Sequence, residues 1–403
     1  MSDGDIYGGS LSVDNMHQQP ERSEKFRLSA LFGDDRSSAP VPHSEILESR
    51  NSSSAKGCDY PASTSANGRN MIRVGVIGYG YWGPNVVRNL HGLDRACVEM
   101  VCDKSPAALA RVRKAYPGIS TTSDPNDVLR SPQIDAVAVI TPVWTHYELS
   151  KAALENGKHV FVEKPLTSSA AQAEELVELA ARKNLTIMVD HTFLFTGAVR
   201  KIRELTESGV LGNLYYYDSL RVNLGLFQHD VSVIWDLAPH DLSIMDHLIK
   251  KEPEAIIATG EKHLNGVEDV AFMTIHFPEN VIAHINVNWL SPVKIRTTLI
   301  GGQKRMVVWN DLVADEKVRV YDKSVQISNG EGIRDLLVSY RSGDMWAPQI
   351  EQREALHAEL SYFADCILNN ITPFNDGHAG LRVVRMLEAA DCSIRKRGEL
   401  VRL

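Results

Sequence analysis

The fold is decided by residues 71–90, MIRVGVIGYGYWGPNVVRNL. An apolar run of buried-strand length leads into GYGYWG at residues 78–83, and a segment with helical spacing follows. GYGYWG matches GxGxxG, a pattern that is weak evidence alone because glycine-rich turns are common. Here a strand precedes it, a helix follows it, and Asp103 lies twenty residues beyond Gly83 at the end of the next strand-like run. This context predicts a dinucleotide-binding turn rather than a merely structural one.

Each position of the turn has an expected role. Gly78 permits the tight turn, Gly80 leaves room for a pyrophosphate, and Gly83 lets the helix and strand pack closely. The free N–H groups at the start of the helix favour phosphate. We expect Tyr81 and Trp82, in the same turn, to contact the nucleotide as well.

Asp103 distinguishes between the two nicotinamide cofactors. A carboxylate at this position accepts hydrogen bonds from the ribose hydroxyls and repels a 2′-phosphate, which predicts NAD. Lys104 follows directly and offers a contact for such a phosphate, so NADP remains the less favoured alternative.

The strands and helices predict two domains. Over residues 71–192, continuous Val and Ile strands such as DAVAVIT and HVFVE alternate with amphipathic helices. This alternation predicts an α/β Rossmann domain with a doubly wound parallel sheet. Residues 193–403 instead contain many alternating strand-like runs, which predict a C-terminal α+β domain with a large, mostly antiparallel open sheet. We expect this second domain to bind the substrate and to form the oligomer.

Residues 1–70 differ in composition from the rest of the chain. They are rich in Ser, Pro, Gly, Asn and charge, and they lack any sustained apolar period. Such a segment cannot bury enough apolar area to offset its ordering entropy, which predicts a disordered N-terminal tail. Either the tail is a real extension or translation begins at Met71.

Composition argues against several classes of partner. A net charge of −8 without a basic stripe makes nucleic acid an unexpected partner. No apolar run approaches the ~18 residues that span a bilayer, and the N-terminus does not resemble a secretory signal. The five cysteines lack CxxC spacing, which is typical of reduced thiols, so we expect a cytoplasmic protein.

Polar residues follow two further strands of the predicted parallel sheet. Thr141 and Pro142 end one strand, with His146 beginning the next helix, and Glu163 and Lys164 end another. The crevice outside the carboxyl ends of such a sheet is where ligands bind, so all five are candidate cofactor contacts. The alternatives are a helix cap with a surface histidine, and the solvated end of a strand.

Residues 233–249, VIWDLAPHDLSIMDHLI, place Asp236 four residues before His240 and so on one helix face. The two side chains could be a capping aspartate with a core histidine, two metal ligands, or an acid–base pair. A third ligand with metal-site spacing is lacking, so no metal is expected.

These motifs together resemble the Gfo/Idh/MocA oxidoreductase family, which includes glucose–fructose oxidoreductase and inositol dehydrogenase. The resemblance rests on GYGYWG, on Glu163-Lys164-Pro165, and on Asp236 preceding His240 by four; it covers roughly residues 71–403. It implies that Lys164, Asp236 and His240 are the active-site residues. Pro239 stands where the family pattern has none, which puts the local backbone in doubt.

The residue types suit oxidation of a secondary alcohol. His240 would take the hydroxyl proton, Lys164 would stabilise developing alkoxide charge, and Asp236 would orient the imidazole or bind a sugar hydroxyl. Arg221, Asn223 and Trp289 are candidate substrate contacts, against the alternatives of a solvated polar pair and a core aromatic.

Further motifs, including WDLAPHDLSI and NWLSPVK, look most like the branch that oxidises or reduces C3 of a UDP- or dTDP-linked hexose. The resemblance therefore implies an NAD-dependent sugar dehydrogenase. The alternatives are a 3-keto-sugar reductase, a polyol dehydrogenase acting on inositol, an NAD-using glycosidase and a nucleotide-sensing binding protein. An open sheet leaves a face or edge uncovered, so we expect a homodimer or homotetramer.

Overall fold

The structure is a computed structural model that describes residues 71–225, 231–329 and 336–403. The tail predicted over residues 1–70 lies outside the described residues. Among those described, no helix is both long enough and apolar enough to cross a membrane.

Six parallel strands form the first sheet: β1 (Ile72–Ile77), β2 (Ala96–Cys102), β3 (Ser120–Thr122), β4 (Ala136–Val139), β5 (His159–Glu163) and β6 (Ile187–Asp190). Their order is β3-β2-β1-β4-β5-β6, so the winding reverses between β1 and β4. Ligands bind at this reversal in doubly wound sheets. The predicted Rossmann fold is confirmed.

Five helices connect these strands: α1 (Gly83–His91), α2 (Pro106–Ala115), α3 (Pro125–Leu129), α4 (His146–Glu155) and α5 (Ala170–Lys183). The start of α2 follows from its sequence. Ser105 Oγ accepts a hydrogen bond from the Ala108 N–H, and Pro106 occupies the first turn, where its missing N–H costs nothing.

The second part of the chain forms a nine-stranded sheet with four helices. Its elements are α6 (Gly197–Glu207), β7 (Leu214–Leu224), α7 (Val233–Ile249), β8 (Ala255–Glu261), β9 (Val270–His276), β10 (Ile282–Asn288), β11 (Leu290–Gly302), β12 (Met306–Asn310), β13 (Val318–Asn329), β14 (Leu336–Trp346), α8 (Ala355–Asn369), α9 (Gly377–Arg395) and β15 (Val401–Arg402). The strand order is β14-β13-β12-β11-β7-β10-β9-β8-β15, and among these described strands only β7 and β10 pair in parallel. The predicted large, mostly antiparallel sheet is confirmed.

The two faces of this sheet differ in burial. The inner face packs against α7 and α9, and α9 also packs against α5 and β6 of the first sheet. One helix therefore joins the two sheets. The outer face carries partly or largely exposed apolar side chains, namely Tyr216, Phe272, Ile282, Leu299 and Met345.

Candidate active site

The glycine turn between β1 and α1 has the backbone that its sequence predicts. Gly78 has a φ of +105°, and a Cβ there would lie 2.1 Å from the Ile140 carbonyl oxygen. A Cβ on Gly83 would lie 2.4 Å from the Gly78 carbonyl oxygen. At Gly80, by contrast, no described atom lies within 4 Å of the Cβ position. The turn is thus closed at its two ends and open in the middle, which fits the close approach of a pyrophosphate.

Two side chains fix this turn in place. The Asp103 carboxylate accepts hydrogen bonds from the Tyr79 N–H at 2.6 Å and the Ser105 N–H at 2.7 Å, so it lies directly beneath the turn. Trp82 Nε1 donates to Asp190 Oδ2 at 2.9 Å, across the sheet at the end of β6. Tyr81 is 88% exposed. Trp82 therefore anchors the turn, whereas the Tyr81 side chain is largely in solvent.

The start of α1 supplies the positive end that a phosphate requires. Trp82 occupies the N-cap position without making a side-chain cap, and Pro84 is in the first turn. The first N–H groups of the helix therefore have no capping side chain as a competing acceptor. Together with the open space at Gly80 and the carboxylate of Asp103, this geometry fits an NAD molecule.

The residues after β4 have a different arrangement from the one expected. His146 is 1% exposed, and its ring nitrogens lie 2.7 Å from the Thr141 carbonyl oxygen and 2.9 Å from the Pro165 carbonyl oxygen. Burial is the main cause that lowers the pKa of His146. Sequence spacing placed His146 at the rim, but its ring lies inside the protein and joins the loops after β4 and β5. Its geometry supports a positioning role and not a direct cofactor contact.

Lys164 and Asp236 meet at the junction of β5 and α7. Lys164 Nζ donates to the Asp236 carbonyl oxygen at 2.7 Å and lies 3.4 Å from Asp236 Oδ1. Their side chains are only 13% and 21% exposed. Trp289 Nε1 donates to Asp236 Oδ2 at 3.3 Å, and Trp289 itself is 1% exposed. Two segments 72 residues apart are therefore joined by an ion pair supported by a buried indole.

His240 lies one turn further along α7, which runs through Pro239 without a break. Its ring packs edge-on to Phe193 with centroids 5.0 Å apart. Its Nδ1 is buried and makes no hydrogen bond within the described part of the chain. Burial, followed by the charge of Lys164, holds the pKa of His240 well below its usual range. The imidazole is therefore neutral at neutral pH.

Three buried acids lie beside the site, of which the sequence analysis named Glu163 and missed Asp190 and Glu359. Asp190 is 2% exposed, Glu359 of α8 is fully buried, and the Glu163 carboxyl neighbours that of Asp190. Burial, and then the neighbouring Asp190, raise the pKa of both Glu163 and Glu359 well above the usual range. These two carboxyls therefore hold protons at pH values where exposed ones are ionised.

His191 was also missed, although it directly follows β6 at the same rim. It is 1% exposed, and neither ring nitrogen has a hydrogen-bond partner in the described ranges. Burial lowers its pKa to about 4. The one available signal was position, because carboxyl ends of parallel strands share an edge.

The candidate substrate contacts divide into two groups. Arg221 is 4% exposed and forms a bidentate ion pair with Asp241, at 2.6 Å and 3.2 Å, so it is not on a solvated face. Asn223 and Trp289 both border Gly225, where a Cβ would lie 2.9 Å from Asn223 Nδ2 and 3.2 Å from Trp289 Cδ1. Trp289 is thus both a buried aromatic and a neighbour of Asp236.

The site holds no evident metal ligand set. Across the ranges that the structure describes, no group of three or more His, Cys, Asp and Glu side chains could hold a metal ion.

Three relatives illustrate what this chain is similar to. It is 25% identical over 330 residues to the UDP-N-acetylglucosamine 3-dehydrogenase of Acidithiobacillus ferrooxidans, covering 78% of this chain and 94% of that protein. The solved structure of that enzyme has a TM-score of 0.68, with 23% identity over 81% of this chain and 98% of its own, and shows the same fold. The scyllo-inositol 2-dehydrogenase (NAD(+)) of Bacillus subtilis is 25% identical, covering 75% of this chain and 86% of the relative. An uncharacterized oxidoreductase of Escherichia coli is 34% identical, but the match spans only 42% of this chain and 51% of that protein.

Family models match both halves of the chain. Residues 72–191 match the NAD-binding Rossmann fold of an oxidoreductase family, and residues 199–308 match the GFO/IDH/MocA C-terminal domain. Together the two matches cover more than half of the chain. The chain belongs to the Gfo/Idh/MocA family of NAD-binding oxidoreductases.

Proposed function

We propose that this protein is an NAD-dependent dehydrogenase that oxidises C3 of a UDP- or dTDP-linked hexose, such as UDP-N-acetylglucosamine, to a 3-keto sugar. The observation that carries the proposal is the 2.7 Å contact between Lys164 Nζ and the Asp236 carbonyl oxygen, with His240 one turn along the same helix. An ammonium and a neutral imidazole at the carboxyl edge of a dinucleotide-binding sheet form a site for removing a proton from an alcohol.

The residues divide the work of the reaction. When bound, NAD supplies the acceptor for the hydride that leaves the sugar carbon. His240 takes the hydroxyl proton, because burial and the charge of Lys164 keep its imidazole neutral. Lys164 stabilises the negative charge that develops on the oxygen. Asp236 holds the Lys164 ammonium in position and is itself held by Trp289.

The nucleotide is held, in this proposal, by the turn after β1 and the adjoining rim. Gly78, Gly80 and Gly83 shape the cradle for the pyrophosphate, and Asp103 accepts the ribose hydroxyls. The remaining contacts come from residues at the ends of the other strands and in the turn, namely Tyr81, Trp82, Thr141, Pro142, Glu163 and Lys164.

A second candidate is oxidation of a free polyol, favoured by the likeness to an inositol dehydrogenase. The same side chains also serve the reverse reaction, the reduction of a 3-keto sugar, because proton transfer by His240 is reversible. An NAD-using glycosidase and a nucleotide sensor are the non-redox alternatives.

One experiment separates these candidates. The full chain is incubated with NAD and, in turn, with UDP-sugars, dTDP-sugars and inositol, while absorbance near 340 nm is followed. We expect NADH to form with a nucleotide-linked hexose. If NADH forms with inositol but with no nucleotide sugar, the polyol dehydrogenase hypothesis is favoured. If no substrate gives net NADH, only the reductase and the non-redox hypotheses are left.

We further propose that the outer face of the nine-stranded sheet forms a homodimer or homotetramer interface. Phe272, Ile282 and Leu299 are exposed apolar side chains on that face. The ring of Tyr216 packs directly over Gly301, where a Cβ would lie 2.1 Å from the ring. Exposed apolar side chains that share one face of a sheet favour burial against a second copy. A monomeric mass by light scattering would contradict this, and an Ile282→Lys variant should dissociate the oligomer.

A further inference from the structure

We propose that Arg296 and Arg221 together bind an anionic group of the substrate, a carboxylate or a phosphate, beside His240. The inference rests on the proposed sugar dehydrogenase function and names a property of its substrate. It depends on a pair of like charges that the sheet places opposite each other.

The pairing of β7 with β11 puts the two arginines in register. Arg221 lies directly opposite Arg296, next to the pair formed by Ser219 and Thr298. Directly opposite residues point to the same face with their Cβ atoms ~5 Å apart, and like charges in that position are destabilising. Two guanidinium groups therefore face the same side of the sheet at a cost in stability, a conflict typical of functional sites.

Neighbouring carboxylates balance this charge only in part. Asp241 binds Nε and Nη2 of Arg221, but Nη1 is buried and makes no hydrogen bond in the described part of the protein. Arg296 Nη1 lies 3.5 Å from Asp311 Oδ2, which is long for a hydrogen bond between charged groups. Burial, followed by the charge of Arg221, lowers the pKa of Arg296. Among the described residues, Arg221 Nη1 therefore lacks an acceptor, and Arg296 has a single long hydrogen bond.

Phe193 connects the arginine pair to the proposed catalytic base. The guanidinium carbon of Arg221 lies 4.5 Å from the centroid of the Phe193 ring, and that of Arg296 lies 5.6 Å from it. The same ring contacts His240 with centroids 5.0 Å apart. An anion bound to the two arginines would therefore lie one aromatic ring away from the imidazole.

Two planar guanidinium groups match the oxygens of a carboxylate or a phosphate, which they bind through paired N–H donors. A sugar reacting at His240 carries such oxygens either as a C6 carboxylate or as the diphosphate of a nucleotide. A purely structural pair stacked on Phe193 would not discriminate between charged and neutral ligands.

The test measures binding without turnover. The full chain is loaded with NADH and titrated by calorimetry with glucose, glucuronate, UDP-glucose and UDP-glucuronate. We expect the parent protein to bind an anionic probe more tightly than its neutral counterpart. Arg296→Gln should weaken binding of the anionic probes by about ten- to hundredfold, the usual effect of losing hydrogen bonds to a charged group, and leave NADH binding unchanged.

The pattern of the loss identifies the source of the charge. A C6 carboxylate is indicated if Arg296→Gln removes the preference for glucuronate over glucose, with or without UDP. A diphosphate is indicated if the variant removes only the preference for UDP-glucose over glucose. Arg296→Lys should keep part of the affinity because it retains the charge but not the paired donors. Arg182→Gln, on the exposed surface of α5, is the matched control.

The inference is overturned if the parent binds no anionic probe better than a neutral one, or if Arg296→Gln binds every probe as the parent does. Should Arg296→Gln fail to fold, the same comparison is made with Arg296→Lys, and unchanged affinities there would equally refute it. Parent protein that binds anionic sugars but never forms NADH would refute the dehydrogenase proposal and leave this inference intact.

Discussion

Replacing Lys164 with methionine is expected to raise the pKa of His240. The ammonium of Lys164 is the largest of the charges that lower this pKa, second only to burial of the ring. Methionine keeps the length of the side chain and removes the charge. Since a neighbouring positive charge disfavours the protonated imidazole, its loss makes that proton bind more tightly.

The structure also limits the size of this change. Asp236 Oδ1, 3.4 Å from Lys164 Nζ, already offsets part of the ammonium charge. Burial and the charges of Arg221 and Arg296 remain in the variant. We therefore expect the pKa of His240 to rise in the variant while staying below its ordinary value.

Two measurements report this shift. Nitrogen chemical shifts of the His240 imidazole give its pKa in the NAD-free protein, and the acid side of the kcat/KM profile gives it in the working enzyme. As pH is lowered, kcat/KM of Lys164→Met should begin to fall at a higher pH than that of the parent. The variant should also be slower than the parent at every pH. Lys151→Met, on the surface of α4, is the control. An unchanged or lowered pKa of His240 would refute the electrostatic role of Lys164.

Three further predictions concern the glycine turn and the buried charges. Gly80→Ala should leave the melting temperature of the NAD-free protein unchanged but weaken NAD binding at least about tenfold, because the added methyl meets no described atom yet fills the space for the pyrophosphate. Equal NAD affinity of variant and parent in a fluorescence titration would contradict this prediction. Glu359→Gln should gain free energy of unfolding relative to the parent as pH rises from about 5 to about 8, because the native carboxyl has a raised pKa and holds a proton that the unfolded chain releases above its ordinary value of 4.5. If the difference between variant and parent in urea unfolding is the same at the two pH values, this prediction is wrong. Asp241→Asn should lower the free energy of unfolding in urea by about 3–5 kcal/mol, since it leaves the guanidinium of Arg221 buried and uncompensated. A loss under about 1 kcal/mol, which is typical of surface ion pairs, would show that this pair is not buried in solution.

The sequence predicted the fold well because its local signals agree with the tertiary structure. Continuous Val and Ile strands between amphipathic helices are the pattern of a buried parallel sheet, and the predicted strands DAVAVIT and HVFVE correspond to β4 and β5. The strand β14 was not foreseen, because its run mixes apolar residues with Ser, Arg, Gly and Asp.

Part of the candidate site depends on contacts that spacing alone does not reveal. The four-residue interval of Asp236 and His240 gave their shared helix face, but the resemblance to a family was needed to bring Lys164 to them. His146 has the spacing of a rim residue, yet its burial follows from two backbone carbonyls that approach from separate loops. Glu359 and Arg296 come from α8 and β11, so only the packing of the second domain brings them to the site.

The central claim is that His240 accepts the proton of the sugar hydroxyl. It is tested most directly by a single-turnover measurement of NADH formation in His240→Asn, with NAD and sugar both saturating. The account predicts that the rate falls by about 10²–10⁴ while the affinity for NADH stays at its parental value. A rate within a few-fold of the parent, at unchanged affinity, would contradict it.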